Sequence, residues 1–218
     1  MLKPPDNPKI NDNRNYVYDE SFYVRPEFPI IAEWVPENSR IIDLGCGNCS
    51  LIKYILDKKK IYAEGIDISE SGVNVCLKNG FKAKVGYIDK EETYKDYRDN
   101  EFDYAICNVT IQMIMYPEIL LREMKRIAKY QIISFPNFAF IINRLDLLLL
   151  GRMPKFTLGG YEWYNTGHIH QLSIRDFKAL ANKIGLKIIK EHHLGKAGKL
   201  IKLCPNLLSQ IAIFLCSK

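Results

Sequence analysis

The chain has the composition of an ordinary globular protein, with 218 residues of which 47% are hydrophobic and 26% charged. A formal net charge of +6 is spread along the sequence, which favours a solvated surface over a nucleic-acid-binding stripe. The longest apolar runs fall far short of the ~20 residues that a membrane-spanning helix needs, and the N-terminal residues carry no secretory signal. The six cysteines have no framework spacing, so we expect reduced thiols in a cytoplasmic protein.

Strand and helix patterns alternate along most of the chain. Residues 1–20 predict an irregular arm, and a short helix is expected within residues 23–34. A strand over 40–43, a glycine turn and a helix over 50–56 then form the first βα unit. Further strands are predicted over 62–68, 81–85, 102–107 and 130–135, with a helix over 69–78 and another that begins at Pro117.

The last third of the chain departs from strict alternation. A mostly helical insertion over 138–150 leads into a loop over 155–172 that is rich in aromatic residues and histidine. Ser173-Ile174-Arg175-Asp176 resembles a capping box at the start of a helix, and two strands are expected over 186–192 and 208–216. We predict an α/β, Rossmann-like fold: a seven-stranded, mostly parallel sheet with helices on both faces and the last strand antiparallel. It would be one domain over 1–218, with an N-terminal arm or cap at 1–30 and an insertion at 138–172.

The sequence Asp43-Leu44-Gly45-Cys46-Gly47 lies between the first strand and the first helix, the position of a nucleotide-binding turn. A phosphate loop needs Gly-Lys-Ser/Thr, which is absent here. A dinucleotide fingerprint needs a third glycine, and Ser50 in its place weakens a nicotinamide reading without excluding it. Asp43 suits an ammonium group, and Asp67, at the end of the second strand, suits both ribose hydroxyls. These two acids favour an adenosine with a cationic tail, such as S-adenosylmethionine (SAM).

The same motif resembles motif I of the class I SAM-dependent methyltransferases. A longer set of segments is similar to the MetW-type proteins associated with methionine biosynthesis, over roughly residues 30–195. These segments are Arg40–Gly47, Glu64–Asp67, Phe102–Tyr104, Ile133–Phe138, Leu148–Pro154, Trp163-Tyr164, Ile169-His170 and Ile174–Phe177.

The resemblance implies SAM as cofactor, S-adenosylhomocysteine as product, and no metal. The implied cofactor-binding residues are Asp43, Gly45, Cys46, Gly47, Asp67, Ile68, Tyr87, Ile88 and Asn108. Two positions depart from the family pattern. Asn48 replaces the second acid of motif I, and Tyr87 stands where an acid usually contacts adenine, which leaves Asp89 or stacking by Tyr87 for that contact.

The loop that is rich in aromatic residues and histidine is the candidate acceptor site. His170, with His168 as the second candidate, would be the catalytic base if the nucleophile is an alcohol; the alternative is that either histidine only holds the loop. The candidate substrate contacts are Tyr23, Asn137, Arg152, Trp163 and Tyr164. For Arg152, a structural bond to loop carbonyls is the alternative. Asn165 and Gly167-His168 depart from the family pattern, so a different acceptor is expected.

We therefore predict a methyltransferase that acts on a small soluble, anionic acceptor, phosphorylated or nucleotide-linked, and at oxygen rather than nitrogen. Cys107-Asn108-Val109-Thr110 lacks the proline pair with which base-modifying methyltransferases hold a flipped amino group, so no nucleic-acid substrate is expected. The resemblance leaves open a non-catalytic accessory subunit of a homoserine acyltransferase, and the apolar segment 138–150 leaves open a homodimer. For Cys46-x-x-Cys49, small loop residues are preferred over a redox or metal pair, with oxidative inactivation as a side effect.

Overall fold

A computed structural model describes residues 17–157, 161–164 and 166–218. The described residues form one sheet of seven strands in the order β3-β2-β1-β4-β5-β7-β6. The strands are β1 (Arg40–Leu44), β2 (Tyr62–Asp67), β3 (Lys82–Val85), β4 (Phe102–Asn108), β5 (Ala128–Pro136), β6 (Lys187–Leu194) and β7 (Ile211–Ser217). Neighbours among β1 to β5 pair in parallel, whereas β7 lies antiparallel between β5 and β6. The predicted sheet, with its antiparallel last strand, is confirmed.

The helices cover both faces of this sheet, as predicted. They are α1 (Phe28–Trp34), α2 (Ser50–Leu56), α3 (Glu70–Lys78), α4 (Pro117–Ile127), α5 (Ile141–Leu150), α6 (Ile174–Lys183) and the short α7 (Pro205–Leu208). Successive residues of a strand point to opposite faces, so Ile41 packs with α1 and α2 while its neighbour Ile42 packs with α4 and α6. The helix periodicity and the strand alternation in the sequence thus produce two large, separate apolar cores, beside a smaller cluster around Cys49 and Ile52.

The short helix expected within 23–34 is confirmed as α1, which begins at Phe28 with Pro29 in its first turn. Two predicted strand boundaries are wrong in detail. Strand β5 begins at Ala128, directly after α4, and β7 begins at Ile211 because residues 205–208 form a helical turn rather than strand. The predicted capping box is confirmed: the Ser173 hydroxyl accepts from the Asp176 N–H, and the Asp176 carboxylate accepts from the Ser173 N–H.

No helix in the described part of the chain is long and apolar enough to cross a membrane. The division into one domain with an arm at 1–30 and an insertion at 138–172 stays a prediction, and residues 1–16 of that arm lie outside the described residues.

Candidate functional site

The candidate site lies where the strand order reverses, between β1 and β4. In open α/β sheets, ligands bind at the carboxyl ends of the strands beside such a reversal. Here β1 ends in Asp43 and Leu44, β2 in Asp67 and β4 in Asn108. The sheet therefore brings three of the predicted polar residues to one edge.

The glycine turn after β1 requires its glycines. Gly45 has φ +87°, and a Cβ there would lie 2.5 Å from the Thr110 Cγ2 atom. Gly47 has φ +54°, and a Cβ there would lie 2.7 Å from the Tyr18 hydroxyl. Residues other than glycine rarely adopt such a positive φ. The positive φ angles and the side chains of Thr110 and Tyr18, packed against the two glycines, thus explain the Gly-x-Gly spacing.

Asp43 is a buried carboxylate that is not fully satisfied. Its side chain is 2% exposed, and its Oδ1 atom has no hydrogen-bond partner among the described residues. Burial, together with the negative charge of Asp67, raises the pKa of Asp43 to about 7. A buried, unpaired carboxylate is costly unless a cation or donor pairs with it. The site is therefore suited to a positively charged ligand group.

Asp67 fixes the turn to the end of β2. One carboxylate oxygen accepts from the Gly47 N–H at 2.7 Å, and the other accepts from the Ser69 N–H at 2.8 Å. Burial raises the pKa of Asp67, although the backbone hydrogen bonds oppose that rise. The Ile68 N–H also bonds to this carboxylate, so one of its four lone pairs stays open for a ligand hydroxyl.

The residues predicted to flank adenine follow β2 and β3. Ile68 is half-buried, Ile88 is buried and Tyr87 is exposed. The Ile88 carbonyl accepts from the Tyr94 hydroxyl at 2.6 Å, which fixes this turn to the core. Asp89 accepts from the Met115 N–H at 2.9 Å, so one of its oxygens already has a structural partner.

A charged network that the sequence reasoning missed faces the same crevice. Glu27 is fully buried; its Oε1 accepts from Arg25 Nε and, at 3.3 Å, from Asn108 Nδ2. The Asn108 Oδ1 atom accepts from the Ser134 hydroxyl at 2.6 Å, which fixes its amide toward Glu27. The Glu27 Oε2 atom is buried without a partner in the described part of the chain. The available signal was a pair of charged residues directly before an apolar helix.

Tyr23 extends this network toward the two aspartates. Burial raises its pKa to about 12; Arg25 opposes the rise, and Asp43 and Asp67 add to it. The Tyr23 N–H donates to the Ser50 hydroxyl at 3.3 Å. The predicted substrate residue Tyr23 therefore does lie beside the predicted cofactor residues.

The two candidate histidines differ in environment. Burial and the charge of Arg25 lower the pKa of His168 to about 4, which keeps it neutral and places it near the Arg25–Glu27 pair. His170 Nε2 lies 3.2 Å from the Met115 carbonyl, and the His170 N–H donates to the Gln112 carbonyl at 3.0 Å. His170 thus ties its loop to residues 112–115, whereas His168 is available to a ligand. A catalytic role for either stays a prediction.

The remaining substrate candidates differ in burial and in hydrogen bonding. Asn137 is fully buried, and its Nδ2 donates to the carbonyls of Asn206 and Ser209 at 3.1 and 3.0 Å. Both donor hydrogens are used, which argues for a structural role and against its assignment to substrate. Trp163 and Tyr164 are 70% and 65% exposed, and Arg152 is also exposed. Asn165 lies outside the described residues.

The expectation that every cysteine is reduced is wrong in this structure. Cys49, at the start of α2, and Cys76, on α3, form a disulfide. Cys46 is a buried free thiol whose sulfur lies within 4.8 Å of both bonded sulfurs. Burial, with Asp67 and Asp43, raises the pKa of Cys46 well above its usual value. The bond was not predicted from the sequence because its second cysteine, Cys76, lies on a different helix, α3.

The chain matches the model of one protein family over most of its length. The family model described as "Methionine biosynthesis protein MetW" matches residues 25–216, from before α1 to the penultimate residue of β7. The chain belongs to the MetW family. The resemblance stated from the sequence is therefore confirmed, although it begins earlier than expected and includes Arg25 and Glu27.

Two curated relatives share part of this MetW chain. The bifunctional methionine biosynthesis protein MetXA/MetW of Rhodopirellula baltica is 30% identical over 170 residues, 74% of this chain and 27% of the relative. Ajmaline N-methyltransferase of Rauvolfia serpentina is 29% identical over 106 residues, 47% of this chain and 36% of the relative. The matches thus span well under half of either relative.

The fold of this MetW protein is also that of solved methyltransferases. A SAM-dependent methyltransferase from Thermotoga maritima, a possible histamine N-methyltransferase, superposes with a TM-score of 0.65 at 18% identity and covers 88% of this chain and 87% of its own. The protein therefore has the fold of the SAM-dependent methyltransferases, and SAM stays the cofactor predicted from the sequence. The orphaned Asp43 carboxylate and the Cβ-free turn fit such a ligand.

Proposed function

We propose that this MetW protein binds SAM at the β1/β4 crevice and transfers its methyl group to an oxygen of a small soluble, anionic metabolite. The environment of Asp43 is the observation that supports SAM binding, the donor half of this proposal. Its buried oxygen lacks a partner in the described residues, and a pKa near 7 means that a cation would be needed to hold it ionised. The ammonium group of SAM supplies that charge.

The other residues of the site follow from their positions. The remaining lone pair of Asp67 would accept a ribose hydroxyl, Gly45 and Gly47 would admit the ligand to the backbone, and Ile88 would pack on the adenine. SAM supplies an electrophilic methyl group, which the acceptor displaces in line, so the protein contributes mainly alignment. Arg25 lies beside Glu27 and His168, and it would be the second positive charge of the crevice after the ammonium group of SAM.

Glu27 and His168 are the residues that best suit an acceptor hydroxyl. The unpartnered Glu27 oxygen would accept the acceptor's hydrogen bond, and the neutral imidazole of His168 would take up a proton as the new bond forms. His170 and Asn137, in contrast, hold backbone carbonyls. Exposed Arg152, on the loop that follows α5, is suited to an anionic group on the acceptor.

The donor half is tested by calorimetry with S-adenosylhomocysteine, and the acceptor half by transfer of a labelled methyl group from SAM to metabolites fractionated by anion exchange. Wild-type protein should bind the product, and label should enter one anionic fraction with a mass gain of one methylene. Glu27→Gln should keep the binding and lose the transfer, whereas exposed Glu37→Gln should keep both. A folded protein that does not bind S-adenosylhomocysteine would refute the donor site.

A second candidate function is an accessory subunit of a homoserine acyltransferase, in which the crevice only senses SAM. The relative from Rhodopirellula baltica, named for both MetXA and MetW, favours it. Helix α5 offers a surface for a partner, because Leu148 and Leu149 are 79% and 72% exposed. Such an apolar surface is typical of protein–protein contacts.

This alternative is tested by gel filtration of the protein co-expressed with a homoserine acyltransferase. Co-elution that is lost in a Leu148→Asp/Leu149→Asp variant, and kept with Leu77→Asp on exposed α3 surface, would support a subunit contact through α5. Acyltransferase activity that depends on this protein, with no methylated metabolite, would favour the accessory role. Separate elution of the two proteins would rule out the accessory role. Co-elution of two copies of this chain would instead indicate a homodimer.

A further inference from the structure

Three sulfur atoms meet beneath the glycine turn, and the proposed methyl transfer does not use them. The Sγ atoms of Cys46, Cys49 and Cys76 lie within 4.8 Å of one another, and all three side chains are buried. They come from the turn itself, from the residue before α2 and from α3. Cys49 and Cys76 are bonded, with their Cα atoms 5.5 Å apart, a usual separation for a disulfide.

Strand β2 leaves space for this cluster. A Cβ at Gly65 would lie 2.5 Å from the Cys46 sulfur and 3.5 Å from the Cys49 sulfur. The Gly47 carbonyl lies 3.7 Å from the Cys46 sulfur and 3.5 Å from the Cys76 sulfur. A side chain at position 65 would therefore displace the Cys46 sulfur, which contacts the turn.

The disulfide joins the turn to the helix that follows Asp67. Gly72 of α3 is so close to the turn that a Cβ there would lie 2.7 Å from the Gly47 carbonyl. Cys49 has φ +63°, a conformation unfavourable for a residue with a side chain. The bond to Cys76 holds Cys49 in this conformation and so holds the Gly47 N–H against Asp67.

We propose that Cys49 and Cys76 are a reversible thiol–disulfide site, and that the oxidised form binds the methyl donor more tightly than the reduced form. The proposal rests on the donor half of the proposed function. The bond prearranges the turn, so that less conformational freedom is lost on binding. The sequence predicts that oxidation inactivates the protein, whereas this proposal predicts that oxidation strengthens donor binding.

The exchange partner is a small disulfide of the glutathione class. One protein thiolate attacks a sulfur of the oxidised partner, breaks its S–S bond and releases one partner thiol. The second protein thiol then displaces the second partner thiol, so that one disulfide is consumed and one is formed. Two electrons and two protons pass to the partner. Both protein sulfurs are buried, so exchange requires the turn to open, and a bound ligand slows it.

The bond is tested first by its stoichiometry. Protein equilibrated in glutathione buffers of increasing oxidising strength is quenched in acid, unfolded and alkylated before mass mapping. We expect four alkylated cysteines and a Cys49–Cys76 peptide link in oxidising buffer, and six alkylated cysteines after reduction. Full alkylation of Cys49 and Cys76 in every buffer would overturn the proposal.

The coupling is tested by calorimetry of S-adenosylhomocysteine with the oxidised and the reduced wild-type protein. Reduction should weaken binding by about fivefold or more, the usual lower range of coupling between sites. Cys76→Ser should bind with the reduced affinity in both buffers, and Cys204→Ser, at an exposed free cysteine, should keep the redox dependence. Because coupling is reciprocal, S-adenosylhomocysteine should also shift the thiol–disulfide equilibrium in glutathione buffer toward the disulfide.

The outcomes separate the two proposals. Equal affinities of the two wild-type forms, or tighter binding by the reduced form, would overturn the redox site and leave the donor site standing. No binding by either form would refute the donor site, and the redox proposal with it. Because both wild-type forms are measured directly, a Cys76→Ser variant that fails to fold does not affect this comparison.

Discussion

Substitution of Asp43 by asparagine should stabilise the free protein and remove donor binding. In the folded protein the pKa of Asp43 is raised to about 7 from a value of 3.8. An acid whose folded pKa lies above its unfolded pKa holds a proton in the folded state that the unfolded chain has already lost. The folded state is therefore favoured by this group at low pH and penalised as the pH rises from about 4 to about 7.

The size of the effect follows from the shift. About three pKa units at about 1.4 kcal/mol each give an upper limit of about 4 kcal/mol above neutral pH. The buried amide of the variant would lack a hydrogen bond, which costs about 1–3 kcal/mol. The Asp43→Asn variant should therefore gain about 1–3 kcal/mol of unfolding free energy at about pH 8, and that gain should vanish below about pH 4.

Urea unfolding as a function of pH measures this difference, and calorimetry with S-adenosylhomocysteine measures binding. Asp103→Asn is the control of opposite sign. Burial alone would raise the pKa of Asp103, but bonds from the Arg40 N–H and from Lys129 lower it below its usual value, so that control should lose stability above about pH 4. An Asp43→Asn variant that is less stable than wild type at about pH 8, or that still binds S-adenosylhomocysteine at wild-type affinity, would refute the reasoning.

Three further predictions concern the crevice and its supports. In the wild type, S-adenosylhomocysteine should bind more tightly as the pH rises from about 6 to about 8, because pairing lowers the pKa of Asp43. Binding near pH 6 should therefore release up to about one proton, which calorimetry in buffers of different ionisation enthalpy would detect. An affinity that does not depend on pH would contradict this prediction. Gly45→Ala should lose about 2–4 kcal/mol of unfolding free energy through its positive φ and its contact with Thr110; the control Gly80→Ala, which has φ +78° and open space around it, should lose only about 1 kcal/mol, and equal losses would argue against the contact. Asn137→Ala should lose about 2–4 kcal/mol because two buried carbonyls lose their donor, while S-adenosylhomocysteine affinity stays within about twofold; a selective loss of binding would restore its ligand role.

The order of elements could be predicted because each strand and helix carries its own period in the sequence. Boundaries were less accurate where no turn residue separates two elements. Helix α4 passes into β5 between Ile127 and Ala128, and both residues are apolar and buried. Leu208 was assigned to the last strand because a leucine fits a strand as well as a helical turn.

The donor half of the site could be predicted because it lies in one local motif, with Asp67 at the next strand end. The acceptor half could not, because its parts meet only in the folded chain. Glu27 and Asn108 are separated by 81 residues and are joined by one amide hydrogen bond. Cys49 and Cys76 are 27 residues apart, and the packing of α3 against the turn, rather than any spacing in the sequence, brings them together. Sequence periodicity carries no information about such contacts.

The position of β7 determines when the sheet can close. Strand β6 is made before β7, yet within the sheet it pairs with β7 and is joined through it to β5. Until residues 211–217 have left the ribosome, β5 and β6 each present an unpaired edge. Such edges readily pair with other chains, so incomplete chains should aggregate unless they are protected. Because an interior strand is inserted after its edge neighbour, the interval between the synthesis of β6 and that of β7 is a vulnerable stage for this protein.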